Sequence, residues 1–164
     1  MASSKLLEVG TRAPAFGLKD QDGTLRRLSH FKGRPVVLYF YPRDMTSGCT
    51  AQACEFRDQF PDFAALEVPV LGISPDAVDS HRKFADKHDL PFTLLADPKD
   101  DSGTPAVCEK YGVWQEKSMY GRRYKGVVRT TYLISPTGRI THRFDKVKPK
   151  EHAALVLQKL HEIA

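Results

Sequence analysis

The chain has 164 residues, 41% of them hydrophobic and 27% charged, a balance that suits one globular domain, residues 1–164, with a core of its own. Neither the N-terminal run Met1-Ala2-Ser3-Ser4-Lys5-Leu6-Leu7-Glu8 nor any later window offers the apolar stretch of a leader or a membrane span, so a cytoplasmic protein is expected. Three cysteines are too few for a disulfide framework, and the net charge of +5 permits attraction to acidic partners, nucleic acid included, without requiring it.

Taken in chain order, Leu18 to Leu28 reads as a hairpin, with Asp20-Gln21-Asp22-Gly23 supplying the turn. Arg34 to Tyr41 is a continuous apolar run ended by Pro42, as expected of a central strand buried on both faces. Ala53, Phe56, Phe60 and Phe63 then follow at helical spacing, so a helix should begin near Cys49. Val68 to Ser74 reads as a second strand, and Ser74-Pro75-Asp76 looks like a capping serine before a proline at the first position of a helix reaching about His88. Phe92 to Ala96 is a third strand. Asp97 to Pro105 reads as a polar, mobile surface loop, and Ala106 to Tyr111 as a short helix closed by Gly112. Val127 to Ser135 and Arg139 to Phe144, joined by Pro136-Thr137-Gly138, form a further hairpin, and Lys150 to Ile163 is an amphipathic terminal helix. The alternation gives an α/β protein: a central mixed sheet flanked by helices, preceded by an N-terminal β-hairpin. In such sheets the active site lies outside the carboxyl ends of the strands, which is where Cys49 falls.

Two cysteines five residues apart follow the first central strand. Cys49 sits at a strand-to-helix turn, where backbone N–H groups favour a thiolate over a thiol. If Cys49 and Cys54 share one helix, about 7.5 Å of rise and about 140° of rotation separate them, beyond the roughly 7 Å Cα limit of a disulfide. Such a pair can bond only if the helix unwinds locally, so it reads as two thiols that meet during a reaction cycle rather than as a staple.

Pro42-x-x-x-Thr46-x-x-Cys49 resembles the active-site signature of peroxiredoxins, and Gly48-Cys49-Thr50-Ala51-Gln52-Ala53-Cys54-Glu55-Phe56-Arg57-Asp58 is similar to the Q type, the bacterioferritin comigratory protein group. The likeness continues through Tyr111 to Ser118 and Arg129-Thr130-Thr131-Tyr132-Leu133-Ile134. The resemblance implies a thioredoxin-like fold and reduction of hydrogen peroxide and organic hydroperoxides by Cys49. It also implies Cys54 as resolving thiol, recycling by thioredoxin or a similar dithiol donor, no cofactor or metal, and a monomer. Arg129, the family's arginine by motif position and expected on an adjacent strand, would stabilise the thiolate and bind the peroxide. The Thr46 hydroxyl would accept from substrate while donating to the thiolate, and Pro42 would wall off water. Ser47 stands where the family usually has proline, which loosens that turn, and the stretch Asp100 to Pro105 looks longer than usual.

Plainer readings stand beside these. Cys108, in the short helix without motif support, reads as a small buried hydrophobe, with substitute resolver as its minority role. Arg129 alone could be a surface ion pair, and Thr46 and Pro42 ordinary loop residues. The basic run Arg122-Arg123-Tyr124-Lys125 reads as a solvated face or a protein-docking patch. A general thiol–disulfide oxidoreductase would normally carry Cys-x-x-Cys, which the four-residue gap here opposes. A structural zinc site needs about four ligands at suitable spacing, a pattern the cysteines and six histidines do not make. A redox-sensing or nucleic-acid-binding module is the remaining alternative.

Overall fold

The computed structural model describes residues 5–163. Gly17–Asp20 (β1) and Leu25–Arg27 (β2) form the expected antiparallel N-terminal hairpin. Asp20 shapes its turn by accepting from the N–H groups of Asp22 and Thr24, the local side-chain-to-backbone bonding that makes aspartate a turn former. Val36–Phe40 (β3) is buried at every position and leads into the helix Ser47–Ala65 (α1). Val70–Ser74 (β4), Val78–His88 (α2) and Thr93–Ala96 (β5) continue the alternation. Then come Ala106–Lys110 (α3), Trp114–Met119 (β6), Arg122–Val127 (β7), Thr130–Ile134 (β8), Ile140–Phe144 (β9) and His152–Ile163 (α4). Seven strands make one sheet in the order β2-β1-β5-β4-β3-β8-β9, while β6 and β7 pair only with each other. The β3–β4 and β4–β5 pairs are parallel and the remaining pairs antiparallel, which is the thioredoxin-like mixed sheet expected from the sequence.

Side chains alternate across a strand, so β3 and the residue after it divide between two cores. Val37, Tyr39 and Tyr41 join Phe56 and Phe63 of α1, Phe84 of α2 and Val156 and Leu160 of α4. Val36, Leu38 and Phe40 join Cys108, Tyr111, Trp114 and Tyr132 on the opposite face. Cys49 belongs to the first of these cores and Cys108 to the second. Gly112 closes α3 at φ +74°, and a Cβ there would lie 1.8 Å from the Lys5 carbonyl oxygen, so only glycine fits.

Four details differ from the sequence reading. The second helix starts at Val78 with Ala77 as its cap; Ser74 ends β4 instead, its hydroxyl donating to the Asp76 carboxylate and accepting from the Asp76 N–H in the turn before the helix. Asp97 is buried rather than a surface loop residue, accepting from the N–H groups of Val107 and Cys108, and Asp100 organises the turn beyond it through Ser102 and Thr104. The basic run lies on β7, in a hairpin that the sequence reading did not separate; Val127 belongs to it rather than to β8. Arg129 lies in the short link between β7 and β8, not within a strand.

Candidate active site

The site is built where β3 hands over to α1. Tyr41 to Thr46 make the connection, with Met45 in the left-handed region at φ +64°. Asp44 fastens this loop from beneath. Its carboxylate accepts from the Tyr41 hydroxyl at 2.6 Å and the Ser80 hydroxyl at 2.8 Å, and faces His81 Nδ1 at 2.7 Å. His81 Nε2 faces the Leu95 carbonyl at 3.0 Å, and the Asp44 N–H donates to Asp76 at 2.7 Å. Asp44, Asp76 and His81 lie close enough to suggest a metal site, yet both Asp44 oxygens, both His81 ring nitrogens and Asp76 Oδ2 already have protein partners. The grouping is a buried network joining the loop to α2 and the sheet.

The first turn of α1 is held differently. Thr46 is the cap residue, extended at φ −82° and ψ 154°, with no side-chain capping bond. Its hydroxyl donates to the Arg43 carbonyl at 2.9 Å, so the group expected to face the sulfur is turned towards the loop instead. Ser47 occupies the first helical position, exposed, and no acidic residue sits in the first turn to complement the helix dipole. Pro42, half-buried, stands at the head of the connection.

Cys49 is 2% exposed, and the Arg129 guanidinium reaches it: Nη2 donates to Sγ at 3.1 Å, while Nη1 donates to Gln52 Oε1 at 2.9 Å. The contact of cysteine and arginine expected from the sequence is therefore present. Gly48 makes room for it, since a Cβ there would lie 2.8 Å from Nη2. Lys117 stands close by, its amine donating to the Val127 carbonyl; desolvation and the charge of Arg129 hold its pKa below the usual lysine range. Tyr39 stacks on Phe56 at 4.7 Å, and burial raises its phenol well above the ordinary value, aided by the nearby Cys49. It walls the site as an uncharged ring.

Cys54 lies on the same helix as Cys49, half-buried, and all three cysteines are free. Its Sγ is 3.8 Å from His88 Nδ1 at the end of α2. Cys108 is fully buried, and desolvation, then the charge of Asp97, raises its thiol well above the ordinary value. That fits the plain reading of a packed hydrophobe.

Sequence reasoning missed Gln52, Gly48 and the Asp44–His81 pair as parts of this arrangement. Gln52 stands three residues beyond Cys49, on the same helical face, which was the available signal. His81 is 37 positions from Asp44 and gave none.

The geometry is that of a thiol at a helix start beside a guanidinium, and comparison with known proteins agrees. The sequence profile described as the AhpC/TSA family matches residues 9–143. Peroxiredoxin Bcp of Bacillus subtilis is 43% identical over 158 residues, covering 96% of this chain and 98% of that one. Peroxiredoxin Bcp of Escherichia coli K12 is 45% identical over 158 residues with the same coverage. Among solved structures, the bacterioferritin comigratory protein of Xanthomonas campestris superposes with a TM-score of 0.83 at 36% identity, covering 90% of this chain and 91% of that one. With the fold, the cysteine–arginine contact and these full-length likenesses in agreement, the chain belongs to the AhpC/TSA family as a peroxiredoxin, a thiol peroxidase of the Q or bacterioferritin comigratory protein group.

Proposed function

We propose that Cys49 reduces hydrogen peroxide and organic hydroperoxides, that Cys54 resolves the product, and that thioredoxin or a similar dithiol donor restores the pair. The observation that carries this reading is the 3.1 Å contact between Arg129 Nη2 and Cys49 Sγ. A guanidinium at hydrogen-bond distance stabilises an anion on sulfur and can bind a peroxide oxygen as negative charge develops there. The Cys49 thiolate attacks one oxygen of R–O–O–H, the O–O bond breaks, and R–O⁻ leaves to take up a proton. Cys49 is left as a sulfenic acid. The similar Xanthomonas campestris protein is described by its alkyl peroxide reduction activity, which supports the organic substrates.

In this reading Pro42 limits water around the sulfur. Thr46 serves the substrate once its hydroxyl leaves the Arg43 carbonyl, a rotation about a single side-chain bond. Cys54 then displaces the oxygen of the sulfenic acid and forms a disulfide with Cys49. Both cysteines lie on the wound helix α1, so the first turns must open for that bond to form. The protein works as a single domain and a monomer, in the cytoplasm.

Donor-coupled peroxide consumption tests the assignment. Cys49→Ser should be inactive, and catalysis retained in that variant overturns it. Cys54→Ser should keep the first stoichiometric burst and lose thioredoxin-driven turnover; undiminished turnover would remove Cys54 from the resolving role.

A further inference from the structure

We infer that His88 is the proton acceptor for Cys54, making the resolving sulfur nucleophilic before it leaves its place on α1. This inference rests on Cys54 being the resolving thiol. His88 is the last residue of α2, and its Nδ1 lies 3.8 Å from Cys54 Sγ, within reach of a hydrogen bond to sulfur. The ring packs against one neighbour, and the backbone that carries it is tied by another. It meets the Phe84 ring edge-on at 5.5 Å, and the His88 carbonyl accepts from Arg57 Nη1 at 2.9 Å, one helical turn beyond Cys54 on α1. That last bond ties the end of α2 to the resolving segment of α1.

The plain account of a histidine at a helix C-terminus is that it complements the helix dipole. That account does not require a cysteine sulfur against the ring, and it gives Arg57 no part. The groups around the pair are Arg57 and Asp58 on α1, Asp89 just past α2, and Tyr39 on β3. Arg57 is the cation among them, and it interacts favourably with negative charge at Cys54. A thiolate formed there thus has an imidazolium and a guanidinium beside it, the surroundings in which reactive cysteines are found.

The step balances. The Cys54 thiol proton passes to His88 Nδ1, and the sulfur's electron pair forms a bond to the Cys49 sulfur. The S–O bond of the sulfenic acid breaks, its pair leaving with hydroxide, which takes a proton and departs as water. Cys54 is oxidised and Cys49 reduced, both ending in the disulfide, and no further reagent is needed.

The experiment is a single pulse of hydrogen peroxide to the reduced protein, with rapid acid quenching and separate readings of Cys49 sulfenic acid and of the Cys49–Cys54 disulfide. His88→Asn keeps an acceptor near the sulfur but offers no neutral-range base. Sulfenic acid formation should be unchanged. Disulfide formation at pH 7 should slow about tenfold, since general-base assistance to the attacking thiol is lost. Its rate should also keep rising as pH is raised into the alkaline range, whereas the wild-type rate should level off at lower pH. An unchanged rate and profile in His88→Asn overturns the inference. If that variant fails to fold, a wild-type profile lying wholly in the thiol range overturns it as well. Should Cys54→Ser retain full donor-driven turnover, the resolving role itself falls. Should Cys54→Ser stop turnover while His88→Asn changes nothing, only the role of His88 falls.

Discussion

The loop before α1 and the first turns of α1 are adjacent in sequence and fastened in opposite ways. The loop is pinned by a buried carboxylate that collects a tyrosine, a serine and a histidine, with a backbone N–H bound to a second carboxylate. The helix start has a Thr46 hydroxyl turned to the Arg43 carbonyl rather than capping the helix, an exposed Ser47 and no acidic residue in its first turn. Its polar tie is the guanidinium of Arg129. From Glu55 onwards the helix is secured again, because the Glu55 carboxylate accepts from the N–H groups of Glu151 and Ala154 at the start of α4, and Phe56 and Phe63 enter the core. The segment from Ser47 to Cys54 therefore has few polar anchors besides Arg129, although Cys49 and Ala53 within it are packed in the core. Local opening draws on the least-anchored parts of a fold, so on the proposed chemistry this contrast would let the first turns of α1 open while the loop beneath stays in place.

Removing the strongest anchor should break the contrast most severely. Asp44→Ala leaves the Tyr41 and Ser80 hydroxyls and the His81 ring without their buried acceptor, and is expected to cost about 3–5 kcal/mol of stability by urea denaturation. A loss below about 1 kcal/mol would show that the loop is held by packing instead.

A second anchor is open to pH. His152 at the start of α4 bonds Thr131 at 2.7 Å and contacts the Phe56 ring, and desolvation lowers its pKa to about 4. The unfolded chain, titrating near 6.5, then binds this proton more readily than the folded one. The stability it carries is complete above about pH 6.5 and is lost as pH falls towards 4, by roughly 3 kcal/mol. His152→Gln should flatten that part of the stability–pH curve; an unaltered curve would remove His152 from the account.

At the weak end, Gly48→Ala should displace the guanidinium without disturbing the fold, since the atom met by the new methyl is the end of a flexible side chain. The peroxide step should slow about tenfold, near 1.4 kcal/mol of barrier, while thermal stability holds or rises slightly through better helix propensity. Equal losses of both would mean that the glycine serves packing alone. The smallest effect is expected from Ser47→Pro. Proline is well tolerated at the first helical position and restricts the opened segment. It should add about 0.4–1 kcal/mol of stability and slow disulfide formation after a peroxide pulse by a few-fold, while sulfenic acid formation is untouched.

The sequence made the central strands, the terminal helix and the Cys49–Arg129 association legible, because each carries a local pattern or a motif. The β6–β7 hairpin was hidden by exposure: most of its residues face solvent, its turn at Tyr120-Gly121 uses two left-handed residues, and no apolar alternation marks it. Ser74 misled because a capping hydroxyl next to proline has the right chemistry, yet that hydroxyl bonds the N–H and carboxylate of Asp76, two residues on, in a turn that ends before the helix begins at Val78. The Asp44–His81 and Cys54–His88 contacts join residues 37 and 34 positions apart. Spacing rules act within an element, whereas these contacts are created by the crossing of two. The Thr46 rotamer was out of reach for a similar reason, being set by where the Arg43 carbonyl points.

Cys49 is also a piece of masonry, one of the buried residues of the core that holds Tyr39, Ala53 and Phe56. On the proposed chemistry, every oxygen delivered to that sulfur must be lodged between a close-packed interior and the guanidinium of Arg129. On that reading the added oxygen would crowd the packing around α1, and the crowding would arrive with the oxidant and leave with the departing water.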